Sequence, residues 1–142
     1  MGVIGDELFI AYDRTLQIYD IAGRTWRLGA ALPQPRRRTI GVVADGKLFV
    51  IDTFPSEFLL VYDPQSETWT EEAPPPIVTN PDDGDVWITV NSACAHKGRL
   101  VVLSSDGTAC ERANDGSWYP YEVAAVGVTY YANVGVASVI LG

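Results

Sequence analysis

No stretch of the chain sustains an apolar residue every three to four positions, so the pattern predicts no long helix. Apolar residues come instead in short runs rich in Val, Ile, Leu, Tyr and Trp, broken by turn residues, as in a β-rich protein. The stretch from Thr39 to Glu72 shows the pattern most clearly. It predicts a first strand over Thr39–Val43, a tight turn at Asp45-Gly46, and a second strand over Lys47–Asp52. A third strand follows over Leu59–Asp63 and a fourth over Thr68–Glu72. Pro33 and Pro35 follow one predicted fourth strand, and Pro74, Pro75 and Pro76 follow the next; proline donates no N–H to a ladder, so pairing stops there.

Comparing the chain with itself explains the regularity. Leu16-Gln-Ile-Tyr19-Asp20 leads to Trp26 as Leu59-Leu-Val-Tyr62-Asp63 leads to Trp69, with seven residues from Tyr to Trp in both. A worn third copy ends at Trp118, with Glu111 in the Tyr slot. Upstream of each Trp lies a second shared element: Asp6-Glu-Leu8-Phe-Ile10, Gly46-Lys-Leu48-Phe-Val50 and Gly98-Arg-Leu100-Val-Val102. From Leu to Trp the spacing is 18, 21 and 18 residues. Two separate elements recurring in one order at near-constant spacing define a repeat of about 40 to 50 residues with four strands, the unit of a β-propeller blade.

Val61-Tyr62-Asp63-Pro64 followed by Trp69, a Pro-rich turn and a basic residue before the next strand resembles a kelch repeat. The resemblance runs over roughly residues 1–122, and its style is closest to the plant F-box/kelch-repeat proteins. It departs at the places after the second strands, where kelch repeats carry Gly-Gly. Here those places hold Ala11-Tyr12, Asp52-Thr53 and Ser104-Ser105, so the turn must be made in another way. The expected fold is therefore all-β: a partial kelch-type propeller of about three four-stranded antiparallel blades, over 2–33, 36–76 and 86–122, with extra strands in 123–142. By resemblance, the function is protein–protein interaction, with substrate recognition for a ubiquitin ligase as its specific form. The rival is a metal-assisted enzyme with acidic ligands, of the kelch specifier-protein type. No F-box occurs in these residues.

The net charge of −8 is uneven: residues 1–50 carry +2 and residues 51–142 carry −10. Such a chain lacks the basic surface that phosphate neutralisation needs, which argues against a nucleic-acid partner. Residues 123–142 are uncharged and long enough to span a bilayer, but their Val, Thr, Ser, Asn and Gly content reads as buried strand, so no membrane partner is expected. Two cysteines, Cys94 and Cys110, make no disulfide framework, and a reducing cytoplasmic or nuclear setting is the expectation.

The in-register Trp26, Trp69 and Trp118 are expected to pack between blades, with Tyr19 and Tyr62 beside them. Asp20 and Asp63 precede turns and are placed to accept backbone N–H groups. None of these is catalytic. His96, the single histidine, sits at a strand turn and rules out multi-histidine metal sites, including the copper site of galactose oxidase. Asp82, Asp83 and Asp85 around Gly84 lack the spacing of a calcium loop, so no cofactor and no metal site is assigned.

Arg36, Arg37 and Arg38 form the one basic run. In a propeller the connections from strand four to strand one and from strand two to strand three emerge on the same face. The triplet lies in the first kind of connection, and Phe54-Pro55-Ser56-Glu57 in the neighbouring second kind. Arginine beside an exposed aromatic is a hot-spot composition, so Arg36, Arg37, Arg38, Phe54 and Ser56 are the candidate partner-binding residues, with Arg38 the best match to the family's strand-one arginines. Three blades do not close a ring, since closed propellers have about four to eight. Two arrangements are expected to cover the open faces: the rest of a longer propeller, or a homodimer.

Overall fold

The computed structural model describes residues 1–36, 38–53, 58–76, 89–105 and 107–120. Over them the chain forms twelve strands in three four-stranded antiparallel sheets, and no helix. The first sheet holds β1 (Gly2–Ile4), β2 (Glu7–Tyr12), β3 (Thr15–Asp20) and β4 (Thr25–Leu28). The second holds β5 (Thr39–Ala44), β6 (Lys47–Asp52), β7 (Leu59–Asp63) and β8 (Thr68–Glu72). The third holds β9 (Val90–His96), β10 (Arg99–Ser104), β11 (Ala109–Arg112) and β12 (Trp118–Pro120). Each sheet is a simple meander in chain order. The four strands expected over Thr39–Glu72 are found, the first one residue longer.

The turns follow from local chemistry. Asp45 and Gly46 both take positive φ, and so do Lys97 and Gly98; this closes two-residue hairpins whose twist matches the strands. Asp20 Oδ1 accepts the Gly23 N–H at 2.9 Å, and Asp63 Oδ1 accepts the Gln65 N–H at 2.8 Å, shaping the turns before the fourth strands. In the third sheet Asp115 does this for Ser117 at 2.9 Å, and the bond holds its carboxyl below the usual carboxylate range.

Where Gly-Gly is missing, the ends of the second strands are held in three different ways. Asp13, at φ 54°, turns β2 into β3. Asp52 at the end of β6 is fixed by an ion pair to Arg36. Ser104 Oγ donates to the Thr108 carbonyl at 2.9 Å, with Gly107 at positive φ.

Pairing register sorts each sheet into two faces. In the second sheet, Val43, Leu48, Tyr62 and Trp69 form one cross-strand row. That row faces the first sheet and joins Phe9, Leu16, Ile18 and Leu32 in one apolar cluster. The opposite face of the second sheet, with Phe49, Ile51, Leu59 and Val61, joins Val90, Leu100, Val102 and Cys110 of the third. The middle sheet is thus buried on both sides, and Leu48, Ile51, Leu59 and Tyr62 are fully buried.

The two junctions repeat one design. Trp69 Nε1 donates to the Ala30 carbonyl at 2.8 Å, and Trp118 Nε1 donates to the Ala73 carbonyl at 3.1 Å. Each Trp therefore ties its own sheet to the segment just after the fourth strand of the sheet before it. Phe9 meets the Tyr62 ring at 5.9 Å, and Phe49 lies under the Arg112 guanidinium at 5.2 Å. Arg112, not Glu111, occupies the Tyr slot of the third repeat: it pairs with Leu100 and Trp118, as Tyr62 pairs with Leu48 and Trp69. The third copy runs one residue shorter from that slot to its Trp, and counting seven residues back lands on the wrong neighbour. Arg112 also pairs with Glu72 at 2.5 Å, so a charged side chain is accepted at the junction because it is paired and stacked.

Trp26 departs from the expectation of inter-blade burial. It stacks on Tyr19 at 4.8 Å but is 57% exposed. The reason is positional: among the described residues, no sheet lies on the side where the first sheet's Trp row points. The three sheets run over Gly2–Leu28, Thr39–Glu72 and Val90–Pro120, and the extra strands expected in 123–142 lie outside the described residues.

Candidate partner-binding face

Main-chain hydrogen bonds stitch one end of the three sheets together. The β2–β3 turn meets the connection from β4 to β5 through Asp13 N–H to the Arg36 carbonyl and Arg36 N–H to the Asp13 carbonyl, both 2.9 Å. Thr53, just after β6, donates its N–H to the Arg38 carbonyl at 2.8 Å and its hydroxyl to the same oxygen at 3.0 Å. The Thr53 carbonyl accepts the Val90 N–H, and Thr89 accepts from Ser105. Connections from strand four to strand one therefore lie beside the ends of strand two, on a single face.

The arginine run divides on this face. Arg36 is drawn inward: its guanidinium pairs with Asp52 at 3.0 Å, donates to Gln34 Oε1 at 3.3 Å and lies over the Phe58 ring at 4.5 Å. Both charged side chains are nearly buried, at 11% and 13% exposure. Arg36 is therefore a brace between the connection and the end of β6. Arg38 is exposed, and among the described residues its guanidinium has no hydrogen-bond or ion-pair partner. Arg37, Phe54 and Ser56 lie outside the described residues, as do Asp82, Asp83 and Asp85. Of the candidate partner-binding residues, the structure therefore brings Arg36 and Arg38 to one face and assigns them different work.

Two residues on this face were not singled out from sequence. Asp52 carries the ion pair that decides what Arg36 can do. Tyr12 is 68% exposed at the end of β2, next to the Asp13–Arg36 bridge. Its signal was available: an aromatic stands where kelch repeats carry Gly-Gly.

The opposite end holds a polar cavity of about 110 Å³ between the second and third sheets, lined in part by Lys47, Glu72, Arg99 and Arg112. Its cations are already paired: Lys47 with Asp63, Arg99 with Glu111, Arg112 with Glu72. Among the described residues no group of three or more His, Cys, Asp or Glu is arranged to hold a metal ion. Burial pushes the Cys110 thiol up to about 11 and raises Cys94 as well, so neither is an activated nucleophile.

The chain is 31% identical over 136 residues to an F-box/kelch-repeat protein of Arabidopsis thaliana, covering 85% of this chain and 32% of that protein. The chain thus spans about a third of the length of the curated relative it matches. No family model matches it.

Proposed function

The chain belongs with the kelch-repeat proteins, and on that premise we propose that it is a protein-interaction module, not an enzyme, whose stitched loop face binds an acidic segment of a partner protein. The observation that carries this reading is Arg38: an exposed guanidinium without a partner among the described residues, on a face that also presents the exposed ring of Tyr12. In a chain of net charge −8 this is a local basic feature, and Arg with an aromatic is the pairing that dominates protein interfaces. Arg37, Phe54 and Ser56 are candidates from their sequence positions alone. Arg36 supports it through Asp52 and is not itself a contact.

The curated relative combines an F-box with kelch repeats. By that analogy, the bound segment belongs to a substrate presented to a ubiquitin ligase, with the ligase docked outside these residues. The test is a quantitative pull-down from cell extract with wild-type protein, Arg38→Glu and a Lys97→Glu control at the opposite end of the sheets. Loss of the same captured partner with Arg38→Glu alone supports the reading. Equal capture by all three refutes it.

A further inference from the structure

The arginine run ends at a hydroxyl. Arg36, Arg37 and Arg38 stand three, two and one residues before Thr39, and the apolar Ile40 follows it. No other Ser or Thr in the sequence has an Arg or Lys three or two residues before it. Cations at those places ahead of a hydroxyl, with an apolar residue after it, are the charge pattern that arginine-directed protein kinases read in an extended substrate.

The fold sets that hydroxyl at a charged point. Thr39 opens β5 and is half-buried, and its cross-strand partner is Asp52. The Thr53 N–H reaches the Arg38 carbonyl just outside this pair. Thr39 and Asp52 are therefore a non-hydrogen-bonded pair, the closer kind, with Cβ atoms about 5 Å apart on one face of the sheet. That face is the one on which Leu48 and Val50 meet the first sheet. Asp52 holds Arg36 there at 3.0 Å. Arg36 Nε is buried and has no hydrogen-bond partner among the described residues. The guanidinium of Arg38, beside Thr39, is exposed and uncommitted among them. A phosphate on Thr39 thus meets an idle buried donor, a neighbouring free cation and one carboxylate competing for Arg36.

β5 is an edge strand of its sheet. Lifting its first residue into a kinase cleft breaks the two Thr53 bonds to the Arg38 carbonyl, the Asp13–Arg36 main-chain pair and the Arg36–Asp52 ion pair. The Arg36–Asp52 brace therefore sets how often this segment opens.

We propose that Thr39 is a phosphorylation site for an arginine-directed protein kinase, and that its phosphate closes the loop face to acidic partners by engaging Arg36 and Arg38; the closure rests on the loop-face reading above. In the transfer, Thr39 Oγ1 bonds to the γ-phosphorus of a nucleoside triphosphate as the bond from that phosphorus to the bridging β-phosphate oxygen breaks. The hydroxyl proton passes to the kinase's base, and a nucleoside diphosphate leaves. The phosphothreonine carries a charge of about −1.5 to −2 at neutral pH and three acceptor oxygens, so Arg38 ceases to present an unpaired cation.

The test incubates the purified protein with ATP, magnesium and the catalytic subunit of cyclic-AMP-dependent protein kinase, and locates phosphate by fragmentation mass spectrometry. Thr39→Val and Asp52→Asn run beside the parent, with their folds checked by far-UV circular dichroism. The expected result is one phosphate, at Thr39, and none on Thr39→Val. Incorporation is about tenfold faster in Asp52→Asn, because the segment opens more often without the brace. Phosphorus NMR of the product gives a lower second phosphate pKa in the folded protein than in urea, the mark of pairing with arginine. Capture from cell extract of the partner that needs Arg38 is lost on phosphorylation. A parent without phosphate at Thr39, an equal rate in folded Asp52→Asn, an unshifted phosphate, or Arg38-dependent capture that survives phosphorylation overturns the proposal. Failure of the loop-face reading shows separately, as equal capture by unphosphorylated parent and Arg38→Glu, and overturns the closure while phosphate incorporation still decides the site.

Discussion

Replacing Trp69 with Ala separates junction packing from everything else that a tryptophan contributes. The side chain does three things that can be weighed separately. Its Nε1–H reaches the Ala30 carbonyl at 2.8 Å, a bond worth about 1 kcal/mol net. Its ring stacks on Tyr62 with centroids 5.0 Å apart, worth about 1 kcal/mol beyond area. It also packs against the cluster shared by the first two sheets while remaining partly exposed. At roughly 25 cal/mol per Å², the buried part of the ring contributes about 2 to 3 kcal/mol.

The expected loss is about 4 kcal/mol, a large part of the stability of an ordinary domain. Trp26→Ala is the matched control. It removes a chemically identical ring that stacks on Tyr19 but is 57% exposed and ties no two described sheets together. Its expected cost is about 1 kcal/mol. The assay is urea unfolding followed by far-UV circular dichroism, which does not depend on the fluorophore being removed. If the two variants lose stability within about 1 kcal/mol of each other, the claim that the Trp is a tie between successive sheets fails.

Other expectations follow from single groups. Tyr62 is fully buried and its hydroxyl has no hydrogen-bond partner among the described residues, so Tyr62→Phe is expected to be neutral or to raise stability by up to about 1 kcal/mol in the same urea assay. Arg36→Glu sets two acids against each other beside Asp52 in a nearly buried place and is expected to cost about 3 kcal/mol or more, while Arg38→Glu leaves the melting temperature nearly unchanged. Cys110, held as a thiol to about pH 11, is expected to resist a thiol-reactive disulfide at pH 8 in the folded protein while Cys94 reacts first; equal rates for the two contradict the burial of β11. Because the folded thiol's pKa is raised, its preference for the folded state is full below the ordinary thiol value and fades as pH climbs towards 11. A variant with Cys110→Ala is therefore expected to lose less stability than the parent between pH 9 and pH 11 in urea titrations at each pH.

The sheets were legible from sequence because each repeat states its strands twice, once by apolar runs and once by in-register Leu, Tyr and Trp. Asp45-Gly46 marked its hairpin because two successive positive-φ residues are chemically unusual. What a repeat does not reveal is who stands next to whom across a junction. Trp26 and Trp69 read alike, yet one is exposed and the other ties two sheets, because burial depends on a neighbour outside the repeat. Arg36 and Arg38 likewise read alike. Only the placement of Asp52 at the end of β6, opposite the start of β5, shows that the first is held by an ion pair and the second is presented outward. The substitution of Arg112 for the Tyr of the third repeat was hidden by a one-residue shortening, which pairing register reveals and residue counting does not.

The most direct test of the account places a photo-crosslinking amino acid at Tyr12, on the stitched loop face, and separately at Lys97, in the β9–β10 turn at the opposite end. Each protein is irradiated in cell extract, with Arg38→Glu introduced as a second change in a parallel sample. The account predicts a discrete adduct from position 12, its loss when Arg38 is reversed in charge, and none from position 97. An adduct from position 97 alone, or one from position 12 that survives the reversal of Arg38, contradicts it.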